Sequence, residues 1–286
     1  MMPFKIGVMS DGFRLSPREG VLKAKEIGAD GVQVYAAHGE ISPELMDKAT
    51  RKDFRRFCQN LGLEISALCG DLGGHGFQNA SENAMRVERS KRITDLAVDM
   101  GAHVVTTHIG VVPEDKSNPR YAILFNACRE LAQYAARAGV TFAIETGPEK
   151  ATTLKMFLDD IGSKGIGVNL DPANLVMVTA DDPVQAVYTL KDYIVHTHAK
   201  DGVQLQPCDP EKVYGAFATG GIEAIQVGKL FEEVPLGKGA VKWTPYLQAL
   251  CDIGYKGYLT IEREVGDNPA ADISDAVQFL REIINA

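Results

Sequence analysis

Four residues, Glu145, Asp171, His198 and Glu262, each close a short β-prone run in the second half of the chain. The runs are Thr141-Phe142-Ala143-Ile144-Glu145, Ile166-Gly167-Val168-Asn169-Leu170-Asp171, Tyr193-Ile194-Val195-His196-Thr197-His198 and Tyr258-Leu259-Thr260-Ile261-Glu262. Side chains alternate between the two faces of a strand. If the apolar Phe142, Ile144, Ile166, Val168, Leu170, Leu259 and Ile261 face a helical layer, Glu145, Asp171 and Glu262 turn the other way, and His198 joins them with Ile194 and His196 below it. Three carboxylates and an imidazole meeting unpaired would repel and shift one another's pKa. A divalent cation resolves that conflict, and this donor set suits Mn, Mg, Co or Zn better than a thiolate-seeking metal. The competing explanation, four separately hydrogen-bonded or salt-bridged residues, requires all four to fall in phase by coincidence.

Such a convergence needs strands that run parallel and end at one rim. Eight β-prone runs begin near Phe4, Gly31, Leu63, His103, Val140, Ile166, Tyr193 and Gly257, and amphipathic stretches lie between them, among them 21–27, 45–61, 86–100, 122–138 and 153–161. This alternation reads as βαβ units. Gly28, Gly62, Gly101, Gly139, Gly162 and Gly254 each follow a helical stretch by a few residues, where a left-handed residue ends a helix. Ser16-Pro17-Arg18-Glu19 fits a capping box with proline at the first helical position, and Ser42-Pro43 and Asp182-Pro183 repeat the cap-then-proline pattern. Helix-to-strand connections are short. Strand-to-helix connections are long at 69–81, 109–119 and 199–240. Eight units with one elaborated end describe an α/β chain, residues 1–286, folded as a single (β/α)8 TIM barrel with enlarged βα loops at its C-terminal face, where such barrels carry their active sites. An open doubly wound sheet is the alternative, disfavoured because no Gly-x-Gly-x-x-Gly turn follows the first strand.

Composition narrows the function classes. The 286 residues carry 38 acidic against 30 basic side chains, a net charge of -8, which removes the bulk attraction for nucleic acid or an anionic membrane. No apolar run is long enough to span a bilayer, and the first residues lack the basic-then-apolar pattern of a secretion signal. The five cysteines are scattered, with no Cys-x-x-Cys pair, as expected of reduced thiols in a cytoplasmic protein.

Further polar residues surround the four. His108 ends the fourth run in phase with Val104 and Thr106, either touching substrate or metal or simply hydrogen-bonded at a strand end. His75 lies in Gly70-Asp71-Leu72-Gly73-Gly74-His75-Gly76, which lacks the Gly-Lys-Ser/Thr of a phosphate loop and reads as an active-site loop. Lys200 and Asp201 follow His198 as substrate contacts or a rim salt bridge. His196 reads as a satisfied core residue and His38 as a surface or rim one. Gly237-Lys238-Gly239 is either a close backbone approach to a ligand or a plain turn.

Taken together, Ala143-Ile144-Glu145, Asp171-Pro172-Ala173-Asn174-Leu175, His198-Ala199-Lys200-Asp201, Val234-Pro235-Leu236-Gly237-Lys238-Gly239 and Thr260-Ile261-Glu262-Arg263 resemble the xylose isomerase-like family of sugar and sugar-phosphate isomerases and epimerases, over nearly the whole chain. The resemblance implies one divalent metal ion on Glu145, Asp171, His198 and Glu262, with Glu145 and Glu262 doubling as catalytic proton-transfer groups. It implies a small sugar substrate, for which His75, His108, Asn174, Lys200, Asp201 and Arg263 are the candidate contacts; the charge and hydropathy give no nucleic acid and no membrane as partners, and barrels of this resemblance often pair into homo-oligomers. There are departures. Free-ketohexose 3-epimerases usually carry His, Arg and Glu where this chain has Asn174, Gln204 and Ala151. Asp-x-x-Asn-Leu and His-x-Lys-Asp look more like pentulose-phosphate 3-epimerases, and also resemble subunits that cleave keto-glycosides by elimination. The related apurinic-site endonucleases need more His and Asp ligands than are present. Proton removal next to a carbonyl, giving an enediolate, is the implied first step. Epimerisation, isomerisation and loss of a β-leaving group all share it, and a non-catalytic sugar-binding or partner subunit is the reading from another class.

Overall fold

A computed structural model describes residues 2–286. Eight parallel strands close a barrel: β1 (Lys5–Met9), β2 (Gly31–Tyr35), β3 (Glu64–Cys69), β4 (Val104–Thr107), β5 (Thr141–Glu145), β6 (Ile166–Leu170), β7 (Ile194–Ala199) and, after an excursion outside it, β10 (Tyr258–Ile261). Each strand pairs with its neighbour in sequence, and β10 lies between β7 and β1. Helices separate the strands, the longest spanning Ala80–Met100 and Pro119–Ala138. The main core lies between strands and helices, where Ile6, Val8, Val32, Leu68, Val105, Phe142, Val168 and Leu259 meet helical residues such as Phe54, Leu96, Leu124, Phe157 and Leu280. These apolar residues of β1–β6 and β10 therefore face outward, which turns the intervening polar residues toward the axis.

The helix boundaries follow local chemistry. Ser16 and Glu19 form the reciprocal capping box ahead of helix Pro17–Glu26, and Asp182 caps Pro183–Thr189 through Val184 N. All six helix-ending glycines have positive φ, from 58° to 84°. The second helix departs from expectation. Ser42-Pro43 makes a turn, with Met46 N donating to Ser42 O at 3.0 Å, and the helix starts at Lys48, capped by Asp47. The third starts at Ala80, a turn and a half before the expected Arg86, because polar first turns carry no apolar period.

Residues 199–240, expected as one long loop, are structured. Asp201–Gln204 (β8) and Phe231–Val234 (β9) pair antiparallel outside the barrel. Helices Pro210–Thr219 and Val227–Leu230 lie between them. This excursion has its own small core, in which Val213 and Phe231 pack on Ala173, Met177 and Val178 of the segment after β6. That segment winds as a wide π-type turn, Leu175–Thr179, a geometry that recurs at functional sites.

Candidate metal centre

The strand register draws the four residues into one cluster at the C-terminal rim. Glu145 ends β5 beside Asn169 of β6, Asn169 pairs with His196 of β7, and His198 pairs with Thr260 of β10. Asp171 and Glu262 sit one residue past the ends of β6 and β10. One donor atom from each of Glu145, Asp171, His198 and Glu262 lies within 4.8 Å of the other three, a grouping that could hold a metal ion. His198 Nδ1 is 3.3 Å from Glu262, 3.5 Å from Glu145 and 3.7 Å from Asp171.

Two atoms in the cluster are buried without a hydrogen-bond partner, Asp171 Oδ2 and His198 Nδ1. Leaving buried polar atoms unsatisfied is costly, and both belong to residues no more than 1% exposed. The rest of each side chain is fixed. Asp171 Oδ1 caps the turn that follows it, accepting from Ala173 N (2.7 Å) and Asn174 N (3.0 Å). The Nε2 edge of His198 lies 3.1 Å from both Gln33 Oε1 and Asn169 Nδ2. With the proton on Nε2 and donated to Gln33, the lone pair of Nδ1 faces the cluster, the arrangement a metal-ligating histidine adopts. An unpaired carboxylate oxygen and a lone pair meeting there fit a divalent cation.

The two glutamates are held differently. Glu145 accepts from two amides, Asn174 Nδ2 on Oε1 and Asn169 Nδ2 on Oε2, both at 3.1 Å. Glu262 accepts from Lys200 Nζ at 3.0 Å. Burial opposes its ionised form, but Lys200 and His198 outweigh that and hold its pKa well below the usual range. Burial likewise disfavours charge on His198, while Glu262 and Glu145 draw a proton toward it.

Below the rim, Gln33, Thr106, His196 and Thr260 form a hydrogen-bonded plug. Gln33 Nε2 donates to Thr106 at 3.0 Å, and His196 Nε2 lies 3.0 Å from Gln33 Oε1 and 3.2 Å from Thr260. Burial and neighbouring His198 lower the His196 pKa to about 3, so it stays neutral as a core residue.

The other anticipated residues divide. His108 faces the cluster with Nε2 3.7 Å from Glu145 and Nδ1 3.0 Å from Asp71. Its Nε2 is buried and without a partner. Burial lowers its pKa, but Glu145 and Asp71 prevail and raise it to about 10. Asn174 touches Glu145 directly. Lys200 is buried against Glu262, Glu264 and Glu233. Asp201 does not face the site. Its carboxylate accepts from Gly202 N, Gly237 N, Val241 N and Trp243 Nε1, at 2.9 to 3.2 Å, and the Gly237-Lys238-Gly239 segment wraps around it. Arg263 also points away, to Glu233 and Asp272. His75 lies half-buried beside the helix that starts at Ala80, and exposed His38 stacks on Tyr35.

Five residues near the cluster had no place in the sequence reading. Gln33 and Asn169 were legible in principle, because they alternate with outward valines and leucines in β2 and β6. Asp71 orients His108. Tyr214, on the helix of the excursion, packs 5.7 Å from the His108 ring and roofs the site. It approaches bare backbone at Gly147 (φ 139°), where a methyl group would come 2.6 Å from Asn174 Cβ. Glu149 is buried, with Val112 N on one oxygen and nothing on the other. Burial raises its pKa to about 8. The loop order that brings Tyr214 and Glu149 here carries no periodicity.

A family model described as "Xylose isomerase-like TIM barrel" matches residues 21–283. The chain belongs to this family. The xylose isomerase-like barrel of a Planctomyces limnophilus "Xylose isomerase domain protein" is 27% identical, covers 99% of this chain and 96% of its own, and superposes with a TM-score of 0.78. The probable 3-DHS dehydratase AsbF of Bacillus anthracis shares the fold at 18% identity, 97% and 99% coverage and a TM-score of 0.77. A D-tagatose 3-epimerase-like protein shares it at 20%, 99% and 98%, and 0.72. An uncharacterized protein of Methanocaldococcus jannaschii is 25% identical over 213 residues, 70% of this chain and 61% of its own length. Among the described residues, no helix is long and apolar enough to cross a membrane.

Proposed function

We propose that this protein is a divalent-metal-dependent isomerase or epimerase of a keto-sugar or sugar phosphate, working through proton abstraction next to a carbonyl. The observation that carries the reading is the pair of unpartnered buried atoms, Asp171 Oδ2 and His198 Nδ1, with a glutamate on either side of them. Glu145, Asp171, His198 and Glu262 would hold the ion, with Mn, Mg, Co and Zn fitting the donor set. When bound, such an ion supplies Lewis-acid polarisation of the substrate carbonyl and stabilises the charge that develops on its oxygen. Glu145 and Glu262 stand at opposite ends of the β5–β6–β7–β10 arc. A substrate carbon lying between them would lose its proton to one carboxylate, and the other would return one, to the opposite face of the same carbon for epimerisation or, with the hydroxyl proton moving to the former carbonyl oxygen, to the neighbouring carbon for isomerisation. Asn174 and Asn169 orient Glu145, His108 offers a polar edge to substrate oxygens, and Tyr214 shields the site from water. The five cysteines, none of them disulfide-bonded, support a cytoplasmic setting.

A lyase or dehydratase reading begins with the same proton abstraction. The open Nε2 of His108 favours it, since a departing hydroxyl needs a proton donor. Fold likeness is shared by both readings, since a D-tagatose 3-epimerase-like protein and a probable 3-DHS dehydratase have the same barrel.

The test is solvent exchange. Mn-loaded protein, incubated in D2O with free and phosphorylated ketoses, should place deuterium next to the carbonyl of at least one of them. Product analysis by NMR separates an epimer or aldose from a dehydrated sugar. Glu145→Gln and Glu262→Gln should each lower exchange by about 10³-fold, within the usual span for general acid–base groups. Absence of exchange with every ketose would favour a non-catalytic sugar-binding subunit, and full activity in both variants would refute the assignment of the glutamates.

A further inference from the structure

Among the described residues, Lys200 is the one lysine buried in this rim, and its ammonium group is surrounded by carboxylates. Nζ donates to Glu262 Oε2 at 3.0 Å and to Glu264, and lies 3.8 Å from Glu233. The side chains of Lys200, Glu233 and Glu262 are only 5%, 8% and 9% exposed. An ammonium has three protons; two are given to Glu262 and Glu264, and the third side of the group faces the Glu233 carboxylate. The chain of charges continues outward. Glu233, on β9, accepts from Arg263 at 2.7 Å, and Arg263 reaches Asp272 of the last helix at 2.8 Å. Arg263 also donates toward the Glu233 backbone carbonyl, and Glu233 Oε1 accepts from Glu264 N at 3.1 Å. A residue outside the barrel thus stands two contacts from the cluster.

We propose that Lys200 and Glu233 are positioning residues for Glu262, so that the β8–β9 hairpin is a working part of the catalytic unit. Lys200 fixes the carboxylate that must meet the substrate carbon, and Glu233 fixes Lys200. A misplacement of about 1 Å at a reacting group can cost about 10²-fold in rate. This rests on the reading of Glu262 as a proton-transfer group.

The experiment uses the Mn-loaded full chain and the ketose it exchanges fastest in D2O. Lys200→Met should lower kcat about 100-fold with KM within about twofold, because what is lost is alignment of the reacting group rather than ground-state binding. Glu233→Gln should lower kcat about tenfold, again without a KM change, and Lys200→Arg should restore part of the rate. The double variant should be no slower than Lys200→Met alone, since residues acting in series are not additive. Isothermal titration should show Mn²⁺ binding to Lys200→Met no weaker than to the wild-type chain, a buried positive charge having been removed from beside the ion. If Lys200→Met folds poorly, Glu233→Gln and Lys200→Arg carry the test. A raised KM with kcat kept would make Lys200 a substrate contact and overturn the proposal. So would kcat unchanged in both variants, additive losses, or loss of Mn²⁺ binding. Glu262→Gln separates the two levels. If it is inactive while Lys200→Met and Glu233→Gln are not, only the positioning role falls. If it is fully active, or if the wild-type chain exchanges no ketose proton, the functional reading falls and the inference with it.

Discussion

Glu145 and Glu262 share a residue type and a cluster, yet the molecule treats them by different physics. Around Glu145 the hydrogen-bond partners are neutral amides, Asn169 and Asn174, both from β6 and the turn after it, with the His108 ring 3.7 Å away. Around Glu262 the partners are charges, Lys200 first, then the carboxylates that hold Lys200. Neutral hydrogen bonds set the direction of Glu145 without adding net charge, and the charge near it sits on His108, outside hydrogen-bond range. A buried ammonium does add charge, and it stabilises the ionised form of Glu262. The asymmetry gives two like residues separate characters, which a two-base exchange needs if one group is to accept a proton while the other delivers one.

The broadest way to break this contrast is at the point the two flanks share. Gln33 sets the orientation of His198, which touches both glutamates. Gln33→Leu should weaken Mn²⁺ binding about 10- to 100-fold, the range typical for partners of metal-ligating histidines, as read by calorimetry, with both flanks equally affected. A narrower perturbation addresses the amide flank alone. Asn174→Ala removes one donor from buried Glu145, at a cost of about 1–3 kcal/mol. Exchange should fall about tenfold, and the loss should be little changed by salt because the lost bond is between an amide and a buried carboxylate. A strong salt dependence there would mean that charge, and not direction, is what Asn174 provides.

A last perturbation, read in stability and not in activity, lies just beyond the amide flank, at Glu149. Its pKa is raised to about 8 by burial, so at neutral pH the folded protein binds a proton there that the unfolded chain has released. The folded state then holds more protons than the unfolded one, and stability falls as pH rises from about 4.5 toward 8. Glu149→Gln keeps the Val112 contact and removes the titration. Melting curves of the variant and the wild-type chain should converge near pH 5 and separate by pH 8, with the variant more stable. Equal melting temperatures at pH 8 would show that Glu149 ionises freely.

Much of this architecture was readable before any coordinates. Period-two alternation in β5, β6, β7 and β10 fixed which residues face inward, and helix-ending glycines made the strands countable, because both are local effects of backbone geometry. The convergence of Glu145, Asp171, His198 and Glu262 follows from strand phase plus closure of the barrel. Asp201 and Arg263 show the limit of that reasoning. Each adjoins a cluster residue in sequence, but neighbours along a strand end point in different directions, and these two are spent on loop backbone and on a distant helix. Glu233 and Tyr214 were out of reach for another reason. They lie in an excursion whose path depends on tertiary packing against residues 173–178, and nothing periodic in the sequence reports it.

The separate small core of that excursion has a thermodynamic consequence. Val213 and Phe231 pack on Ala173, Met177 and Val178, away from the main core, so lifting the excursion exposes few apolar groups and leaves the barrel's own ladder intact. What holds it is chiefly polar, the β8–β9 ladder and the contacts of Glu233 to Lys200 and Arg263, and units with few buried apolar contacts open more readily than the whole protein unfolds. Tyr214 and Glu233 travel with it. Any opening of the excursion would move Tyr214 and Glu233 together, so that cover of the cluster and contact with Lys200 would be lost in one event.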